Sequence, residues 1–386
     1  MSGQGLVLGV LGGGQLARML AQAASPLGIR TLALDPAAGG CAADVAMTQQ
    51  AAWDDWAALQ QFADQVDAVT FDFENVPAAT ARWLAERVPV YPPPEALEVA
   101  QDRLTEKTLF RACGLPTPEF RAIASRDELE AAVAGIGLPA ILKTRRLGYD
   151  GKGQFRLREP ADIEAAWQAL GAQAETVGLI LEAFVPFERE LSVIAVRDRQ
   201  GGFRGWPLTR NWHVDGVLSL SLAPAPQVDA SMIAEAMGHA RTLAERLQYV
   251  GVFALELFVR DGQLLGNEMA PRVHNSGHWT IEGAVTSQFE NHVRAVLGLP
   301  LGLTAARGPT AMFNWIGEMP DRRAALAVPD LHWHDYGKTA RAGRKVGHAT
   351  VCAAEASALA GRLEQAAQML GRSAQAEPAI GLLRQD

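Results

Sequence analysis

The sequence predicts a mixed protein, an α/β layer at the N-terminus followed by α+β segments, and three observations predict it. Short apolar runs alternate with helical stretches over the first hundred residues. A lysine-terminated apolar run, 139–143, precedes a second glycine-rich segment at 148–154. A hairpin pattern at 250–268 carries glutamates where apolar residues are expected. With 386 residues the chain has room for about two to three domains.

The elements follow in order. Residues 6–11 form a buried strand, broken by Gly12-Gly13-Gly14, and 15–24 read as a helix. Residues 29–34 form a second strand ending at Asp35, and 68–73 a later one. Tyr91-Pro92-Pro93-Pro94 closes this unit, because proline stiffens the chain and withholds a ladder donor. A helix then carries Asp102, Arg103 and Lys107 and stops at Gly114-Leu115-Pro116. Strands flank the second glycine segment between about 120 and 185. A hairpin from Val250 to Arg260 turns at Asp261-Gly262. The tail holds a Gly/Lys/Arg-rich segment at 333–348 and then an Ala/Leu helix.

Composition narrows the function. Apolar residues make up 48% and charged residues 20%, which suits a packed core and excludes disorder as the main state. A net charge of -8 argues against a general nucleic-acid or anionic membrane surface. Cys41, Cys113 and Cys352 are far apart and form no CxxC pair, so neither a disulfide framework nor a structural zinc site is expected. No apolar run approaches the ~20 residues of a membrane span, and no basic leader opens the chain. A reducing, cytoplasmic setting is the expectation. Of the 35 basic residues only five are lysine: Lys107, Lys143, Lys152, Lys338 and Lys345. Where arginine is the default, a lysine marks positions that want a compact charge.

Five segments carry candidate chemistry. Gly12, Gly14 and Ala17 satisfy GxGxxA between strand and helix, with Asp35 ending the next strand. This lets some anion approach the helix N-terminus without saying which. Lys143 followed by Gly148, Gly151 and Gly153 suits polyphosphate, as an ammonium with closing backbone amides. It is neither a Walker A loop nor a kinase signature.

Glu256 interrupts an apolar strand, and Glu268 follows the turn. Two carboxylates at one point are natural Mg²⁺ ligands, completed by nucleotide phosphates. Register decides whether they meet. A two-residue turn pairs Glu256 with Asn267; a three-residue turn, or an equivalent bulge, pairs it with Glu268 on one face. Residues 267–278 gather Arg272, His274, Asn275 and His278 into an irregular loop unsuited to zinc. His332 and His334 alternate as on a strand and read as a satisfied surface pair. Residues 338–348 hold the densest positive charge, fitting a monophosphate better than nucleic acid.

Together these segments resemble the ATP-grasp superfamily and, within it, the N5-carboxyaminoimidazole ribonucleotide synthetase family of purine biosynthesis. The resemblance rests on Gly13-Gly14-Gln15-Leu16, TFDFENVP at 70–77, QDRLTEK at 101–107, GYDGKGQ at 148–154, NEMAPRVHNSGHWT at 267–280 and GRKVGH at 343–348. Ala17 stands where the family often has glycine. The resemblance implies an ATP-grasp fold: a Rossmann-like pre-ATP-grasp domain at 1–100, an ATP-grasp region at 101–300 with a lid at about 118–185, and a C-terminal domain at 301–386.

It also implies the reaction, in which ATP and bicarbonate carboxylate 5-aminoimidazole ribonucleotide through carboxyphosphate. Arg103 and Lys143 would contact ATP phosphates, and Gly148, Tyr149, Asp150, Gly151, Lys152, Gly153 and Gln154 would form the lid loop. Glu182, Ala183, Phe184 and Val185 would be the adenine hinge, with Glu190 on the ribose and His213 near the nucleotide. Glu256, Glu268 and Asn267 would hold Mg²⁺, with Mn²⁺ as an alternative; Asn267 and Glu268 would also face the nucleotide. Gln15, Leu16, Glu74, Tyr149, Asp150, Lys152, Arg272, His274, Asn275, Lys338, Arg341 and Arg344 would contact the substrate. Among these Asp150, Lys152, Arg272, Lys338 and Arg344 would be catalytic, Asp150 as proton acceptor. A homodimer is implied, and hand-off to the mutase that takes the product next stays open.

Two other classes stand beside this reading. A nicotinamide-dependent oxidoreductase would use Gly12, Gly14, Ala17 and Asp35, leaving the second glycine loop and both glutamates unexplained. A non-catalytic nucleotide-binding protein would have no use for Glu256, Glu268 and Lys143 together.

Overall fold

In the computed structural model, residues 5–148 and 153–385 are described; Tyr149, Asp150, Gly151 and Lys152 lie outside them. Three sheets organise the described residues. The first is parallel, with Val7–Leu11 and Arg30–Asp35 at its centre, Met47–Gln50 on one edge and Ala68–Phe71 on the other. Val7–Leu11 is buried along its whole length, as a strand covered on both faces must be. The fourth strand ends at Phe71, two residues short of the predicted 73, because the backbone turns there to bring Asp72 back to the glycine segment.

The second sheet is antiparallel and large. Its order runs from Gln263–Ala270 through Gly251–Arg260, Arg189–Arg197, Thr209–Val214 and Val217–Ala223 to Thr310–Ile316, Lys345–Cys352 and Leu331–Asp335. The last three strands belong to the C-terminal third. They join through Leu220–Ala223 paired with Thr310–Phe313, so the tail continues this sheet. The third sheet packs Phe120–Ile123, Leu179–Ala183, Ala140–Thr144 and Gln154–Leu157.

Two contacts lock the first sheet to the second. The helix Gln15–Ala24 packs Leu16, Ala17, Leu20 and Ala24 into one core with Phe289, Val293 and Val296 of the helix Gln288–Val296. Buried His292 accepts from the backbone N–H of Val252 at Nδ1 (3.0 Å), so its Nε2–H donates to Thr70 Oγ1 (2.7 Å). Burial pushes this imidazole down to about 3, so it stays neutral. Among the described residues, no helix is long and apolar enough to cross a membrane.

Candidate active site

A cleft of about 610 Å³ opens where the three sheets meet. Its first wall is the glycine segment. Asp72 accepts from the amides of Gly14 (2.7 Å) and Ala17 (2.9 Å), while Asp35 accepts from Gly13 (2.7 Å). The amides of Gly14 and Ala17 are therefore taken by the protein's own Asp72, whose carboxyl burial pushes above its ordinary range, and this weakens the basis of the oxidoreductase reading. A Cβ on Gly14 would fall 2.3 Å from Asp72 Oδ2. Gly14→Ala is expected to lower stability by about 2–3 kcal/mol, read as the urea midpoint; an unchanged midpoint would show that Asp72 does not need the close approach.

The carboxylate pair sits on the opposite wall. The hairpin turns through Asp261-Gly262 with Arg260 opposite Gln263, the two-residue turn. The register then shifts between Leu257 and Glu256, and Glu256 faces Glu268. A bulge at Asn267 thus does what a three-residue turn would have done. The cause lies in the helix Arg103–Ala112, whose first two turns clamp the bulge from both sides. Lys107 Nζ donates to the Asn267 carbonyl (3.0 Å), and Glu106 accepts from the Met269 amide (2.7 Å).

Electrostatics follow from this packing. Burial and the charge of Glu268 push Glu256 up to about 7. Burial also opposes charge on Glu268, but Arg103, 3.1 Å away, holds it below the ordinary range. Glu106 is pushed up to about 8, by burial and then by Glu268. Three crowded carboxyl groups facing one cleft are a charge arrangement that a cation relieves. Glu256 and Glu268 offer hard oxygen donors, while the Asn267 amide donates its Nδ2–H to Glu256 at 3.5 Å and would turn its oxygen inward to join them. Among the described residues, no group of three or more His, Cys, Asp or Glu holds an ion unaided. Two facing carboxylates fit the needs of Mg²⁺, which takes one or two carboxylates and lets phosphates complete its shell.

Lys143 reaches the same region from the third sheet. Its Nζ lies 2.8 Å from Glu182, and fully buried Lys107 is 3.4 Å from the same carboxylate. Burial opposes charge on Glu182, yet the two ammonium groups hold it at about 2. Depressed from 4.5, it contributes stability that is complete above pH 4.5 and lost as pH falls towards 2. The size is about 3 kcal/mol. Glu182→Gln is expected to be less stable at pH 7 but flatter in its acid unfolding profile; an acid limb parallel to the wild type would refute the assignment.

The remaining site residues divide clearly. Gln15, Leu16, Glu74, Arg103, Gly148, Gln154, Glu190, His213, Arg272, His274, Asn275 and Lys338 all line the cleft with the carboxylates and Lys143. Glu190 holds His213 at 2.6 Å; burial disfavours the imidazolium, but this hydrogen bond raises it above its ordinary value. Glu74 and Arg272 pair with each other at 2.6 Å. His274 Nε2 lies 3.6 Å from Glu256, and Lys338 donates to the Gln15 side chain. Glu182 to Val185, Gly153, Arg341 and Arg344 are not part of the cleft wall. Arg341 is exposed, and Arg344 donates to the Thr339 carbonyl. His334 departs from the surface pair expected of it: it bonds Glu282 at 2.7 Å and stacks on buried His348. Only His332 is exposed.

Several residues of the cleft and its supports had no role assigned from the sequence, although all but Phe258 fall inside the segments TFDFENVP and QDRLTEK. Asp72, Glu106 and Phe258 all line the cleft. Asp102 caps its helix and grips Arg145 with both oxygens, tying that helix to the strand of Lys143. Lys107 had a signal in the scarcity of lysine. Asp72 and Glu106 lay inside quoted segments, but nothing singled them out there, because their partners are backbone amides distant in sequence.

Three family models match successive parts of the chain: a ribonucleotide synthetase preATP-grasp domain over 6–101, an ATP-grasp domain over 108–289, and a phosphoribosylaminoimidazole carboxylase C-terminal domain over 310–362. The N5-carboxyaminoimidazole ribonucleotide synthase of Pseudomonas aeruginosa is 52% identical over 358 residues, covering 93% of this chain and 98% of that protein. The crystal structure of the Thermus thermophilus synthetase is 51% identical with a TM-score of 0.89, covering 94% of this chain and 98% of that one. The Aspergillus clavatus synthase, solved with ADP and 5-aminoimidazole ribonucleotide, is 31% identical with a TM-score of 0.83 and covers 99% of both chains.

Proposed function

The chain belongs to the N5-carboxyaminoimidazole ribonucleotide synthase family of ATP-grasp ligases, and from that premise we propose that its cleft carboxylates 5-aminoimidazole ribonucleotide with ATP and bicarbonate, releasing ADP and phosphate. The observation that carries the reading is the bulged register that brings Glu256 opposite Glu268, in one cleft with Lys143.

Bicarbonate is a poor nucleophile facing a highly anionic triphosphate. Lys143, and Arg103 once drawn from Glu268, would lower that repulsion and stabilise charge during phosphoryl transfer. Glu256, Glu268 and Asn267 would hold Mg²⁺ or Mn²⁺. When bound, the ion neutralises phosphate charge. Glu190 and His213 would bind the nucleoside part; the hinge role of 182–185 rests on resemblance, since these residues lie outside the cleft wall beside Lys143. Gln15, Arg272, His274, Asn275 and Lys338 would orient the ribonucleotide, whose exocyclic amine attacks the activated carboxyl group. Asp150 is the proposed acceptor of the amine proton and Lys152 a further proposed catalytic residue.

The division at about 1–100, 101–300 and 301–386, with the lid at about 118–185, is retained as a proposal. So are the roles of Leu16, Glu74, Arg341 and Arg344 on the substrate side. A homodimer and hand-off to a mutase rest on resemblance alone, and a cytoplasmic location rests on the three scattered cysteines and the apolar pattern.

Release of ADP, with each cosubstrate omitted in turn, tests the reading. Turnover is expected to require both bicarbonate and the aminoimidazole ribonucleotide. ATP hydrolysis indifferent to the ribonucleotide would overturn it, and NADH binding in place of ATP would restore the oxidoreductase reading.

A further inference from the structure

The structure gives the Asn275 amide a fixed polarity. Asn314 lies on the strand Thr310–Ile316, outside every motif of the cleft, and is completely buried. Its Nδ2 donates to the backbone carbonyl of Leu218 at 2.8 Å. A carbonyl only accepts, so this contact forbids the flipped amide. The second N–H of Nδ2 goes to Asn275 Oδ1 (2.6 Å), and Asn314 Oδ1 accepts from Asn275 Nδ2 (3.0 Å). The two amides form a closed reciprocal pair.

The orientation therefore passes outward, from an immovable carbonyl through Asn314 to Asn275. Asn275 is 7% exposed and lines the cleft between Arg272, His274 and the C-terminal strands. Its oxygen and one N–H are committed to Asn314, which leaves its second N–H for a ligand. We propose that Asn314 is a positioning residue that fixes Asn275 as a hydrogen-bond donor to an oxygen of the ribonucleotide substrate. The proposal rests on the carboxylase reading above and adds the direction of one contact. An aspartate at 314 has no donor: it opposes the Leu218 carbonyl and cannot bond Asn275 Oδ1, so it releases the polarity that asparagine imposes.

A double-mutant cycle tests this with 5-aminoimidazole ribonucleotide as the varied substrate. Asn314→Asp and Asn275→Ala are each expected to raise KM for the ribonucleotide roughly tenfold, with KM for ATP within about twofold of wild type. The double variant should be no worse than Asn275→Ala, because Asn314 acts through the amide already removed. A merely structural role would multiply the two effects, or shift both KM values together; either result overturns the proposal. So does a rise confined to KM for bicarbonate. Thermal melting with ADP reports whether each variant is folded. Should Asn314→Asp fail to fold, Asn275→Ala alone decides, since an unchanged ribonucleotide KM there refutes the donor role. A wild-type enzyme indifferent to the ribonucleotide would sink the functional reading itself; a failed cycle on an active enzyme sinks only the amide argument.

Discussion

Glu268→Gln is expected to reduce ATP-dependent turnover by about 10³-fold, and Glu256→Gln by a similar factor. Both changes keep size and hydrogen bonding while removing one charge from the facing pair. The loss should appear in kcat, because charge develops most in the phosphoryl-transfer step. The two variants differ in their apo behaviour. Glu256, pushed up to about 7 by burial and its neighbour, is already partly protonated near neutrality, so its glutamine variant should fold at least as stably as wild type. Glu268 is the partner of Arg103 at 3.1 Å. Its loss frees that guanidinium and should weaken Mn²⁺ binding, measured by paramagnetic resonance without nucleotide turnover. Full activity in both variants would remove the carboxylate pair from the chemistry.

Lys107→Met is expected to cost about 3–5 kcal/mol of stability. The side chain is 1% exposed, so its ammonium is buried and fully committed to Glu182 and to the Asn267 carbonyl. Methionine fills the volume but leaves Glu182 with Lys143 alone and the bulge carbonyl without its donor. Activity should fall further than stability alone requires, because the bulge sets whether Glu256 and Glu268 face each other. Chemical denaturation, with activity measured well below the transition, separates the two. A variant of normal stability and activity would mean that the bulge holds without the clamp. Lys107→Arg is expected to fail as well, since a planar fork does not fit a cavity shaped round a compact ammonium.

The local elements were legible in the chain. The strands at 7–11 and 30–35, each within a residue of expectation, the helix at 15–24 and a turn at Asp261-Gly262, whose length only the structure settles, follow from periodicity and turn chemistry, which act over a few residues. So do the candidate side chains, because Glu256 in an apolar strand and Lys143 before a glycine segment are anomalies visible without a fold. What periodicity could not decide was the meeting of Glu256 with Glu268. The turn alone pairs Glu256 with Asn267, and the correction comes from Glu106 and Lys107, some 160 residues earlier.

The glycine segment shows the same limit from the other side. Its pattern suggested an anion approaching a helix N-terminus, but the group that takes those amides is Asp72, from 58 residues away. Sequence by itself determined the leading strands, the first helix and the place of the hairpin turn, and which side chains are out of place. Tertiary structure alone decided who meets whom: that the tail extends the central sheet, that Asn314 orients Asn275, and that a bulge aligns two carboxylates. The physical reason is range. Propensity and periodicity are properties of neighbouring residues, whereas a buried hydrogen bond joins whatever the chain's packing brings within three ångströms.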